Sequence, residues 1–152
     1  MIITPVNVSE ITRSVYEILR DDPAIGGTGV AVERSGEIQK VPTVNGWVGI
    51  YRDSVSYPPR ALGLGGGYRN QLIRLFLLLH ESDLTSGEEC EDRLESLIQR
   101  VVSALLSNES LKGTVETLDE FSVIQQSYDK QDNMFFQYAR INFTGIIPVT
   151  AS

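Results

Sequence analysis

The sequence predicts an α+β domain: a mainly antiparallel β-sheet with two helices packed on one face. Three observations carry the prediction. Residues 72–79 form an almost unbroken apolar run in which Ile73, Leu75, Leu77 and Leu79 alternate with Arg74, Phe76, Leu78 and His80. That is the period of a central strand, buried completely on one face and partly on the other. The period then changes, because Cys90, Leu94, Leu97, Ile98, Val101 and Leu105 recur at steps of three and four, one stripe of a helix of about five turns. Finally, two long strand-like stretches close the chain.

Taken in order, the first helix is expected from Ser9, a plausible cap, with Ile11, Val15, Ile18 and Leu19 as its apolar stripe. Asp21-Asp22-Pro23 ends it, since a residue before proline avoids the helical region. Gly26-Gly27 resets the direction, and Val30 and Val32 alternate with Ala31 and Glu33 in a short strand. Ser35-Gly36 makes a turn, Ile38 to Val41 returns before Pro42, and Trp47, Val48, Ile50 and Tyr51 form another strand.

Residues 52–68 break all periodicity with two adjacent prolines, four glycines and two tyrosines. Loops of this length are usually functional or disordered until they bind something, with a simple long hairpin connection as the alternative. Tyr57, Arg60, Tyr68 and Arg69 are residue types that interfaces favour, which makes them the candidate contact surface. The glycines do not form a phosphate loop, because no Lys-Ser/Thr pair follows and a strand comes next.

The second helix can be capped by Thr85 or Ser86, each with a glutamate three residues on, Glu88 and Glu89. Asn108 to Gly113 is a turn. A strand hairpin over 114–149 follows, one arm from Thr114 to Tyr128 and the other from Met134 to Val149, joined by the polar turn 129–133. Val115, Thr117, Phe121 and Val123 are the candidates for the buried side of the first arm. Arms this long usually bend, and Asp119-Glu120 and Gly145 are the expected breaks, with Pro148 marking the end.

At 152 residues the chain is expected to be a single domain, 1–152. A lone cysteine, Cys90, permits no intrachain disulfide and is expected in the core. The lack of a cationic-then-apolar leader predicts a chain that stays in the cytosol where it is made, with no membrane span, since the run at 72–79 is too short for one. Net charge is −7, with seven acids and one base between Glu81 and Glu95, an acidic stretch that favours the positive end of the helix dipole. This balance argues against a protein that grips nucleic acid, whose affinity comes from basic side chains releasing counterions.

Little here points to catalysis. One histidine and one cysteine cannot build a zinc site, and nothing presents a nucleophile beside a base and an orienting group. The chain is therefore expected not to be an enzyme, with no catalytic, cofactor-binding or metal residues and no cofactor.

The element order, the length, the tyrosine-, proline- and glycine-rich loop before a strongly apolar strand, the acidic capped helix and the closing hairpin resemble the tail terminator, or tail-completion, proteins of long-tailed bacteriophages. The resemblance spans most of the chain. It implies a virion protein of the tail and neck, assembled in the host cytoplasm as a homo-oligomeric ring, typically of six subunits. Such a ring caps the tail tube protein, ends polymerisation and offers a docking surface to the head–tail connector, or neck, protein. DNA would pass through the lumen without being specifically bound. Two alternatives stand beside this reading: a neighbouring neck or connector protein, and a small ligand-binding α+β domain whose loop at 52–68 closes over a substrate.

Overall fold

The structure is a computed structural model and describes residues 7–34, 46–58, 68–83, 87–131 and 134–150. The elements in chain order are α1 (Val8–Asp21), a 3-10 turn at Gly26–Thr28, β1 (Ala31–Arg34), β2 (Trp47–Ser56), β3 (Tyr68–Asp83), α2 (Gly87–Leu106), β4 (Thr117–Gln131) and β5 (Met134–Thr150). The strands form one sheet in the order β1-β2-β3-β5-β4, so the apolar strand β3 lies at its centre. β2, β3, β5 and β4 run antiparallel to their neighbours, and β1 joins β2 in parallel. This is the expected α+β fold, with one parallel pairing added.

Alternation along β3 decides which side the helices cover. Ile73, Leu75, Leu77 and Leu79 are at most 1% exposed. On the same face, Ile50 and Val48 of β2 stand beside Leu77 and Leu79, while Phe143, Ile141 and Ala139 of β5 stand beside Leu75, Leu77 and Leu79. Over this face close Ile11, Val15, Ile18 and Leu19 of α1 and Leu94, Leu97, Ile98, Val101 and Leu105 of α2, in one continuous core. Cys90 is buried too, and its Sγ donates to the Glu81 carbonyl at 3.3 Å.

Several expected boundaries move. α1 is capped by Asn7, whose side-chain oxygen accepts from Ser9 N at 2.8 Å. Ser9 itself lies inside the first turn, because an asparagine one residue before the helix satisfies the same free donor. The loop expected over 52–68 fails at both flanks, since Arg52–Ser56 continue β2 and pair with β3 through a bulge between Arg52 and Ser54, and Tyr68 already opens β3; residues 59–67 lie outside the described residues. The return strand Ile38–Val41 and the caps Thr85 and Ser86 lie outside the described residues.

At the other edge, β4 begins at Thr117, three residues later than expected, because Leu111, Lys112 and Gly113 take positive φ (46°, 59° and 82°) and prolong the turn. It also runs on to Gln131, three residues past the expected end at Tyr128. The break expected at Asp119-Glu120 is present: the β4–β5 register shifts between Asp119 and Ser122, with Glu120 at φ 56°.

The break expected at Gly145 is absent, and β5 stays paired with β3 from Phe135 to Thr150. Gly145 serves packing instead, since a Cβ there would come within 2.9 Å of Val115 Cγ1. Val115 is buried as expected but precedes the strand, and Leu118 is buried within it. Val123, expected to be buried, is 44% exposed. It pairs with Ile141 and so points to the helix side, but α2 packs on β3 and β5 and leaves β4 beyond the helical layer.

Pro148 does not end the last strand. Glu116 N donates to the Ile146 carbonyl, so Ile146, and by alternation Pro148, turn their backbone polar groups toward β4. β4 starts opposite Ile146, and the donor that proline lacks therefore falls where no β4 residue needs it.

The core reading is testable in β3. Leu77→Ala should lower the unfolding free energy by about 2–5 kcal/mol, from lost transfer energy plus the cavity. Denaturant unfolding measures it, and a loss below about 1 kcal/mol would contradict the central position of this strand.

Candidate functional site

Three of the four sequence-predicted contact residues, Tyr57, Tyr68 and Arg69, lie at the β2–β3 end of the sheet. β2 and β3 are antiparallel, so Ser56 and Leu72 are opposite one another and Tyr57 and Pro58 continue toward the start of β3. There Asn70 N donates to the Pro58 carbonyl at 3.1 Å and an Arg69 guanidinium nitrogen donates to the Tyr57 carbonyl at 2.7 Å. Gln71, which is buried, donates from Nε2 to the Tyr57 hydroxyl at 3.3 Å, and Arg74 donates to Ser56 Oγ at 2.9 Å.

The Tyr57 side chain is thus anchored at its hydroxyl while remaining 45% exposed. An aromatic ring held in place yet open to solvent loses little conformational entropy when a partner covers it. Tyr57 and Arg69 are brought together. Tyr68 stands next to Arg69 at the head of β3, opposite Thr150. Arg60 lies outside the described residues.

Sequence reasoning missed a second feature, the face of the sheet turned away from the helices. Trp47, Gly49 and Tyr51 of β2 align there with His80, Leu78 and Phe76 of β3, and these with Tyr138, Arg140 and Asn142 of β5. Tyr51 stacks on Phe76 (5.2 Å, 13°), and the Arg140 guanidinium sits 3.9 Å above the Phe76 ring. Gly49 makes this possible: a Cβ on it would lie 2.3 Å from the Trp47 ring and 2.8 Å from the Tyr51 ring. The signal was available in the sequence as aromatic residues sharing one alternation on neighbouring strands, Trp47 and Tyr51 on β2 with Phe76 and His80 on β3.

His80 is 1% exposed, between the rings of Tyr138 (4.9 Å) and Phe136 (5.4 Å). Neither of its ring nitrogens, nor Trp47 Nε1, has a hydrogen-bond partner among the described residues. Burial alone pushes the His80 pKa down to about 4, so the ring is neutral at neutral pH. His80 and Cys90 do not form a catalytic pair. His80 lies on the helix-free face, whereas Cys90 comes from α2 on the other side of β3. Among the described residues no group of three His, Cys, Asp or Glu side chains is placed to hold a metal ion, and no helix is long and apolar enough to cross a membrane.

The remaining charged feature is the start of α2, where Glu88, Glu89, Glu91, Asp92 and Glu95 are exposed. Arg93, in their midst, donates to the Ser82 carbonyl at the end of β3. The acids therefore form a solvated helix face tied to the sheet through one arginine.

A solved structure shares this architecture almost end to end. A chain of the virion of a native gene transfer agent (GTA) particle superposes over 95% of this chain and 97% of its own length, with a TM-score of 0.53 and 15% sequence identity. The likeness is one of fold. No family model and no curated protein matches the sequence.

Titration of His80 gives a direct check on its surroundings. The unfolded chain takes up the proton near the ordinary value of 6.5 and the folded protein only near 4. The stability is therefore present in full above about pH 6.5 and declines as pH falls from there toward about 4, by on the order of 1 kcal/mol per pH unit. Buried Glu81 acts with the opposite sign, because burial raises its pKa and stability is gained as pH falls through that raised value. His80→Leu isolates the histidine: urea unfolding of the variant between about pH 7 and about pH 4.5 should show a shallower loss than wild type. Equal pH dependence in the two proteins would place His80 in a solvated setting.

Proposed function

We propose that this chain is a structural subunit of a phage-like virion, acting as a tail terminator: a ring that caps the tail tube, ends its growth and presents a surface to the head–tail connector. The observation that carries the reading is the near end-to-end likeness of fold to a chain of an assembled virion particle. Such a role calls for surfaces rather than a catalytic centre, and the chain is proposed to have no enzymatic activity and to need no cofactor.

The site geometry supports the same reading. Tyr57 and Arg69 form an anchored, exposed aromatic–arginine pair, the residue types that dominate interface energetics. They sit where the end of β2 meets the start of β3, at one end of the sheet, where each subunit in turn would meet a flat annular partner such as a tube end. The net charge of −7 suits a lumen through which DNA moves without adhering. We propose six subunits, with the tail tube and the connector as partners.

Gel filtration with light scattering, followed by negative-stain imaging, tests the reading. A closed ring that associates with purified tail tubes is the expected result. A subunit that remains monomeric at high concentration and ignores tube ends would reject it. Tyr57→Ala with Arg69→Ala should leave the thermal melt within a few degrees of wild type. The same double variant should weaken docking to tube ends by roughly 2 kcal/mol or more, at least about thirtyfold in affinity. Unchanged docking across a dilution series would remove this end of the sheet from the interface.

A further inference from the structure

A ring needs two different surfaces on each subunit that fit one another, since only head-to-tail contacts repeat around a rotation axis. The described sheet carries two such surfaces at opposite ends of its strand order. At one end, β4 pairs only with β5 among the described residues, so its outer edge is open. β4 keeps a regular register from Ser122 to Gln126, where Ser122, Ile124 and Gln126 pair with Asn142, Arg140 and Tyr138 of β5. Asn142, Arg140 and Tyr138 share the alternation of Ile146, whose carbonyl accepts from Glu116 N, so these pairs are the hydrogen-bonded ones. Val123 and Gln125 consequently direct their backbone N–H and C=O outward. Val123 and Ile124 are also 44% and 51% exposed, an apolar pair on a free strand edge.

At the other end of the sheet lies a cleft of about 560 Å³ between α1 and β1, lined by Arg13, Tyr16, Glu17, Val32, Glu33 and Arg34. Val32 and Tyr16 are half-buried and continuous with the core, which gives the cleft an apolar floor. Glu17 is paired with Lys112 at 2.7 Å, so its charge is met inside the subunit. Arg13, Glu33 and Arg34 are exposed on the rim, and Arg34 donates to the Ser9 carbonyl at 3.1 Å, so two arginines stand beside one acid there. The β4 edge has the complementary sign, with Glu116, Asp119 and Glu120 exposed beside the apolar pair.

Resting on the ring reading above, we propose that neighbouring subunits join by seating the β4 edge of one copy, through Val123 and Ile124, in the α1–β1 cleft of the next copy, with Asp119 meeting Arg13. The partner is a second copy of this chain. The contact is heterologous, so a copy blocked at one surface still offers the other.

Complementary blocked variants test this. Val123→Lys with Ile124→Lys blocks the edge, and Arg13→Glu with Arg34→Glu blocks the cleft. Every altered side chain is exposed, so melts should stay near wild type, and each variant alone should assemble at least about tenfold more weakly. Mixed one to one, they should form a two-subunit complex that does not extend, measured by light scattering. A charge swap gives a second test, in which Asp119→Arg and Arg13→Glu each weaken assembly and together restore it. Wild-type-like rings from the edge-blocked variant would overturn the proposal while leaving the ring reading intact, as would self-association of the cleft-blocked variant through its edge. Failure of the wild-type chain to assemble would instead overturn the ring reading, and this inference with it.

Discussion

The structure depends on one requirement, that the backbone of β3 be satisfied along its whole length in apolar surroundings. Its 16 residues carry donors and acceptors that would each be costly if unpaired away from water. β5 pairs with it from Tyr68 to Asp83, and β2 covers the other edge from Leu72 to His80. The length of β5 therefore follows from that of β3. Once the two edges are taken, the apolar odd-numbered face still needs a cover, and α2 follows almost directly from the end of the strand. The Cys90 thiol and Arg93 guanidinium bond to carbonyls at that end, which fixes the angle at which α2 returns over the sheet.

The opposite face is finished differently. Tyr51 of β2 lies flat on Phe76 of β3, His80 packs tilted against Phe136 and Tyr138 of β5, and Arg140 closes over Phe76. The arrangement stays close to the sheet, and it admits no side chain at Gly49. A face built in this way leaves the strand edges and the strand ends accessible. Those are the places where the anchored tyrosine and the exposed aliphatic pair are found.

Much of this was legible in the sequence because it rests on local periodicity. The stripe of α1, the stripe of α2 and the alternation of β3 each report burial through spacing alone, and all three match the observed core. The bulge at Asp119-Glu120 was legible because a polar pair interrupts an apolar strand. What was not legible depends on neighbours far away in the chain. Val123 carries the signature of a buried strand residue, but burial also requires a helix overhead, and α2 does not reach it. Gly145 resembles a break until Val115 is seen to occupy the space its side chain would take. Among the candidate contacts, Tyr57 and Arg69 were brought together by the β2–β3 pairing, whereas Val123 and Ile124 could be recognised only once β4 was known to be an edge.

The two register shifts in β4, between Asp119 and Ser122 and between Gln126 and Asp129, bear on solubility as well as shape. A long flat edge is a template on which any passing extended chain can add, layer after layer, as in fibril growth. Here the shifts divide the edge so that its longest straight rung, Ser122 to Gln126, has five residues, and the acids beside it disfavour the close stacking that fibrils need. The broken edge of β4 thus disfavours indiscriminate strand addition by other extended chains.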